Sequence, residues 1–137
     1  MKYIKEADLK VTCIANEDDF ALFGITFDDL LERTQNGYYF LDKIKALAGQ
    51  KQGIKWTNVA YTLQISMLPS QEVSLTFSEE IEDYIDNLKK SMGLAEGETK
   101  NVLKEFIHAL ETEDEESART MVSHFENNIR KTKEKQD

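Results

Sequence analysis

The clearest pattern of hydrophobic and polar positions lies between residues 59 and 77. Odd positions from Val59 to Met67 are apolar, and the positions between them are small or polar. The same alternation returns from residue 73 to residue 77, after the segment "PSQE". Side chains alternate across a β-strand, so this pattern predicts a hairpin with one apolar and one polar face. The polar face carries Thr62, Gln64, Ser66, Ser74 and Thr76.

The chain before the hairpin predicts one strand and a set of helices. Residues 9–14 alternate in the same way and indicate a first strand. Asn16 and Thr26 are expected N-caps of two short helices, since both are followed by carboxylates in the first turn. Residues 40–48 place apolar side chains at helical spacing, which predicts a helix that covers the apolar face of the hairpin, with Lys45 off its apolar stripe.

These elements indicate an α+β fold in residues 1–78: a small three-stranded antiparallel-type sheet, order β-α-α-β-β, with helices on one face. Residues 79–137 change to helical periodicity and predict an all-helical C-terminal extension of about three helices. Ser78 and Thr99 are the expected caps of its first two helices. The polar residues 130–137 are expected to fray.

Composition narrows the classes of partner. The 137-residue chain has a formal net charge of -9. This charge argues against binding to nucleic acid or to an anionic membrane surface, both of which need clustered basic residues. Residues 1–78 hold 8 basic and 10 acidic residues, whereas residues 79–137 hold 9 and 16, so the acidity is concentrated in the helical part. A single cysteine, no signal-peptide pattern and no membrane-length apolar run predict a cytoplasmic protein.

The histidines, the cysteine and the paired aspartates of the sequence predict no catalytic, cofactor or metal site. His108 and His124 have no metal-ligand spacing, and no glycine-rich phosphate loop is present. Cys13 lies inside a predicted strand, so we expect a buried structural thiol. The aspartate pairs at 18–19 and 28–29 are explained as helix caps. We therefore predict that the protein is not an enzyme.

Residues 1–78 resemble the N-terminal domain of the MecA adaptor family, especially its clostridial branch. The resemblance rests on the order and spacing of four segments, which are "MKYIKEADLKVTCIANEDDF", "GITFDDLLERT", "FLDKIKALAGQKQGIKW" and "YTLQISMLPSQEVSLTFS". It implies a domain that recognises target proteins. In that family a separate C-terminal α/β domain docks on a Clp-type AAA+ unfoldase, and residues 79–137 differ from it by their helical pattern.

Three functional hypotheses follow. The first is a non-catalytic adaptor that binds a protein partner, either a Clp-type unfoldase or its substrates. A partner strand would add to a sheet edge or lie across the polar face, although that face is also explained as plain solvated surface. The second is a structural protein that forms a homodimer through residues 79–137. The third is a small enzyme or metabolite sensor with Tyr38, Tyr39 and Tyr61 around a pocket.

Overall fold

The computed structural model describes residues 1–58 and 60–136, with side chains described up to Asn128. The chain divides into two compact units. Unit 1 comprises Met1–Trp56 and Leu63–Ser78, and unit 2 comprises Thr57–Thr62 and Glu79–Asp137. Val59, the expected start of the hairpin, lies outside the described residues.

Unit 1 is an α+β unit built on one antiparallel sheet. Its elements are β1 (Lys2–Ala7), β2 (Lys10–Ala15), α1 (Glu17–Leu22), α2 (Phe27–Leu31), α3 (Gln35–Gln52), β3 (Thr62–Met67) and β4 (Val73–Ser78). The first residue of β3, Thr62, falls within the range of unit 2. The strand order across the sheet is β1-β2-β4-β3. The central strands β2 and β4 pair through Val11 with Phe77 and Cys13 with Leu75, so the strand predicted at residues 9–14 and the second strand of the hairpin meet in the middle of the sheet.

The prediction of three strands in the order β-α-α-β-β is wrong. The sheet contains four strands within the described residues, and the order in unit 1 is β-β-α-α-α-β-β. The missed strand is β1, "KYIKEA", which forms one edge and leaves Lys2, Ile4, Lys5 and Glu6 exposed. An edge strand with charged residues on both faces lacks the alternation that identifies a half-buried strand.

The helices of unit 1 begin where their caps predict. The side chains of Asn16 and Thr26 each accept a hydrogen bond from the amide of an N3 aspartate, and the carboxylates of Asp19 and Asp29 accept hydrogen bonds from the cap amides. Both helices therefore start with a complete capping box. Gly37, near the start of α3, is buried against α2, where an added Cβ would clash with the main-chain carbonyl of Asp29.

The core of unit 1 lies between α3 and the sheet. Its largest fully buried side chains include Phe40, Ile44, Leu75 and Phe77. The long helix, expected over the hairpin, has its main backbone contacts in the sheet with β1 and β2. Because β3 is the far edge of the sheet, its apolar side chains are only half-buried, and Met67 is 56% exposed.

Lys45 lies off the apolar stripe of α3, yet its side chain does not face solvent. It is buried, and its ammonium lies 4.4 Å from the centre of the Trp56 ring. The indole Nε1 of Trp56 donates a hydrogen bond of 2.9 Å to the main-chain carbonyl of Lys45. Trp56 thus folds back onto α3 and keeps the lysine cation against an aromatic face.

Unit 2 contains three helices, α4 (Ile81–Leu94), α5 (Gly97–Thr112) and α6 (Glu115–Gln136). Its hydrophobic core is formed by Ile85, Leu88, Ile107, Leu110, Ala118 and Val122. The rings of Phe106 and Phe125 stack with centroids 4.6 Å apart. Helix α6 continues to Gln136, through the polar segment where fraying is predicted.

Neither predicted cap of unit 2 is used. Ser78 is the buried last residue of β4, and the N-cap of α4 is Glu80. The N-cap of α5 is Glu96, so Thr99 lies inside the helix. Gly97, the first residue of α5, has a φ of 66°, a left-handed conformation that glycine adopts without strain.

Candidate partner-binding surface

The two faces of the sheet in unit 1 differ in polarity. Val11, Cys13, Leu75 and Phe77 point to the helices and are fully buried. The opposite face, here called the outer sheet face, is formed by Ile4, Thr12, Ile14, Thr62, Gln64, Ser66, Ser74 and Thr76. Alternation along each strand therefore places the five polar residues predicted from the hairpin on one surface.

A hydrogen-bond network crosses the middle of the outer sheet face. The hydroxyl oxygens of Thr12 and Thr76 lie 3.0 Å apart, and the Thr12 hydroxyl lies 3.1 Å from Oε1 of Glu6. The network connects β1, β2 and β4 through side chains alone. Thr76 is thus held by a neighbouring strand, which leaves it less available to a partner than the residues of β3.

Exposure rises toward the β3 edge. Thr62, Ser74 and Thr76 are half-buried, whereas Gln64 and Ser66 are exposed. The exposed pair presents an amide and a hydroxyl without formal charge, which can donate and accept hydrogen bonds. These two residues are the members of the predicted set best placed to meet a partner.

Sequence reasoning missed the β1 side of this surface. Ile4 is 46% exposed, and its partner across the ladder is Thr12. An exposed isoleucine beside a threonine network adds an apolar contact to a polar face. The signal was present in the opening "KYIKEA", but its charged positions hid the strand.

A groove lies on the helix side of unit 1, at the end of β3. It has a volume of about 280 Å³. Its apolar wall comprises Phe20, Ala21, Ile25, Phe27, Met67 and Val73. Glu17 also lines it, at the start of α1. The groove is open to solvent through exposed Met67 and Ala21, so an apolar side chain can enter it.

The tyrosines proposed for a metabolite pocket do not line this groove. Tyr38 and Tyr39 are 50% and 61% exposed on α3, and the ammonium of Lys43 lies 5.0 Å from the Tyr39 ring centre. Tyr61 is half-buried just before β3. The lining residues named above come instead from α1, the start of α2 and the hairpin.

Cys13 and Asp29 have structural roles, and the two histidines lie on the surface. Cys13 is buried in β2, and burial raises the pKa of its thiol to about 12. The Thr26 amide, which donates to Asp29, lowers the pKa of that carboxyl. His108 and His124 are exposed on α5 and α6. Among the side chains that the structure describes, up to Asn128, no group of three or more His, Cys, Asp or Glu is placed to hold a metal ion.

The acidic segment of unit 2 has a capping role. Asp114 accepts a 2.7 Å hydrogen bond from the amide of Ser117, and this bond lowers the pKa of its carboxyl. Glu113, Glu115 and Glu116 are exposed around it. The segment thus begins α6 and presents three further carboxylates to solvent.

None of the helices in the described part of the chain is both long enough and apolar enough to span a membrane.

Comparison with known proteins identifies one family. The sequence matches the family model described as "Negative regulator of genetic competence (MecA)" over residues 1–136. The resemblance seen in residues 1–78 is therefore supported, and the match extends through the helical residues that follow. Searches of curated proteins and of solved structures returned no significant match.

Proposed function

The chain belongs to the MecA family, and from this premise we propose that it is a non-catalytic adaptor that binds a target protein and brings it to a Clp-type AAA+ unfoldase. The observation that carries the proposal is the family match across residues 1–136. The family's description is that of a negative regulator, which agrees with a role exerted through protein contacts.

In this proposal, unit 1 binds the target protein. Its outer sheet face offers uncharged hydrogen-bonding groups at Gln64 and Ser66 and an exposed apolar side chain at Ile4. Polar groups beside an apolar anchor resemble the rim and core of a protein interface. Partner contact at this face centres on Thr62, Gln64, Ser66, Ser74 and Thr76.

The unfoldase-docking part is assigned to residues 79–137, which carry a net charge of -7 from 9 basic and 16 acidic residues. Exposed carboxylates at Glu113, Glu115 and Glu116 supply a local negative surface. Such a surface steers association with a basic partner and makes its rate sensitive to salt. The two segments thereby divide the adaptor role into target binding and docking.

The test is affinity capture of partners by the tagged full chain, read by mass spectrometry. We expect a Clp-type unfoldase together with one or more target proteins. Thr62→Lys combined with Ser66→Lys should reduce target recovery and leave unfoldase recovery unchanged. Asn36→Lys with Gln50→Lys is the matched control, because it adds the same charge at exposed positions of α3. Capture without unfoldase would contradict the degradation role.

A second candidate function is self-association through α4 to α6. It is favoured by Leu94, which is 90% exposed, and by Val102, which is 56% exposed. Sedimentation across a concentration series tests it. A dimer that Val102→Glu dissociates would support this function, and a monomer at every concentration would rule it out.

A further inference from the structure

The two edges of the sheet differ in their protection against strand addition. β1 carries Lys2, Lys5 and Glu6, and its ladder with β2 is interrupted between Lys5 and Ala7. Charges and bulges are the devices by which proteins block an open edge. β3, "TLQISM", has no charged residue and no proline. The β3 edge therefore lacks the protection that β1 has.

The turn after β3 determines which backbone groups face this open edge. Leu68 donates its amide to the carbonyl of Glu72 at 2.8 Å, and Gln71 donates to Leu68 at 2.9 Å with a φ of 69°. This is a three-residue hairpin loop closed by a type I turn and a bulge. Hydrogen bonding alternates along an antiparallel strand, so the even residues of β3 bond to β4. The amides and carbonyls of Leu63, Ile65 and Met67 thus face outward.

The groove is placed to receive a side chain from an added strand. Met67 contributes both an outward-facing backbone and a side chain that lines the groove. Alternate residues of a strand laid beside β3 would point to the helix side of the sheet. One of them would meet the apolar wall formed by Phe20, Ile25 and Phe27.

The charges at the groove indicate which residues flank the entering side chain. Glu17 lines the groove, and Asp18 is exposed in the same first turn of α1. The lining residues include no lysine or arginine. A basic residue next to the apolar one would be attracted to these carboxylates, and an acidic residue would be repelled.

We propose that β3 accepts an extended segment of a partner protein as a fifth strand, with an apolar side chain in the groove and a basic residue beside Glu17. This mode rests on the proposed adaptor function and specifies how the target is bound. Main-chain hydrogen bonds to Leu63, Ile65 and Met67 provide affinity, and the groove provides selectivity. The outer sheet face then forms the border of the contact.

The probe is a synthetic eight-residue peptide that alternates threonine with leucine or phenylalanine and has lysine at both ends. Amide hydrogen exchange is followed on the full chain at millimolar peptide. The peptide should slow exchange at Leu63, Ile65 and Met67 by at least about tenfold and leave β1 unchanged. No protection at β3, or protection confined to other elements, would overturn the proposal.

Two matched comparisons separate this mode from nonspecific adhesion. Backbone N-methylation of one alternate set of peptide residues should abolish binding, whereas methylation of the other set should not, because only one set faces β3. Ala21→Trp, which fills the groove, should weaken binding by about tenfold. Leu22→Trp should not, since Leu22 is 83% exposed and lies outside the lining residues. Equal binding of both methylated peptides would overturn the proposal.

Strand addition at β3 and the adaptor function can be overturned separately. If the full chain captures a target but the peptide leaves β3 unprotected, strand addition is overturned and the adaptor function stands. If the full chain captures no target, the adaptor function is overturned even where the peptide binds.

Discussion

The carboxylate of Glu79 accepts hydrogen bonds from both the amide and the hydroxyl of Thr57, at 2.7 and 2.8 Å. The same carboxylate accepts a 3.0 Å bond from the amide of Asn58. Glu79 itself is buried, and its main-chain carbonyl accepts a 3.1 Å bond from Arg119. Glu79, which precedes the N-cap of α4, therefore joins residues 57–58 to α6 within unit 2.

Removing this carboxylate should destabilise unit 2. We expect Glu79→Ala to lower the free energy of unfolding by about 1–3 kcal/mol, because the hydrogen bonds from Thr57 and Asn58 to a buried, charged acceptor are lost. Water offsets part of this loss, since Thr57 and Asn58 are exposed. Urea denaturation followed by far-UV circular dichroism measures it. Glu82→Ala, at an exposed position of α4, is the control and should cost less than about 1 kcal/mol. Equal losses in both variants would contradict the role of Glu79.

Two glycines in helices should respond in opposite directions to alanine. Gly37→Ala should lower the free energy of unfolding by about 1–3 kcal/mol, since its Cβ would displace the Asp29 carbonyl and separate α2 from α3. Gly93→Ala should raise it by about 0.5–1 kcal/mol, because its Cβ meets open space and alanine favours the helix. Thermal unfolding of the two variants measures both effects, and a stabilising Gly37→Ala would show that the close approach of α2 and α3 is absent.

The thiol of Cys13 should be unreactive in the folded protein. Burial raises its pKa from an ordinary value of 9.0 to about 12, so at pH 8 the thiolate fraction is on the order of one in ten thousand. Alkylation by iodoacetamide, read by mass spectrometry, should require unfolding. Ser66→Cys in a Cys13→Ala background, at an exposed position of the same sheet, should react readily.

The same shift has a consequence for stability. Because the folded pKa is raised, the contribution of the protonated thiol is complete below pH 9 and is lost as the pH rises toward 12. Cys13→Ala should therefore flatten part of the decline in the free energy of unfolding over this alkaline range. An unchanged pH profile would contradict the shift.

Local features of the fold could be predicted from the sequence. The caps at Asn16 and Thr26 depend on residues three positions away, and the apolar stripe of α3 depends on spacing within one helix. Features that depend on distant residues could not. Lys45 is buried because Trp56 folds over it, and β1 is recognised as a strand only through its pairing with β2.

The candidate surface also combines local features, which the sequence predicts, with features that depend on distant residues. Alternation correctly placed Gln64, Ser66 and Thr76 on one face. It did not reveal that Thr76 is held by Thr12, because that contact requires β2 and β4 to be neighbours across 64 residues of sequence. Nor did it reveal that β3 is an edge, since strand order follows from long-range pairing.

The adaptor function is tested most directly by the degradation rate of a captured target. The purified Clp-type unfoldase and its protease are supplied with ATP and target, with and without the full chain. We predict that the chain accelerates degradation, and that Thr62→Lys with Ser66→Lys removes the acceleration while Asn36→Lys with Gln50→Lys retains it. A degradation rate that the chain leaves unchanged would contradict the adaptor function.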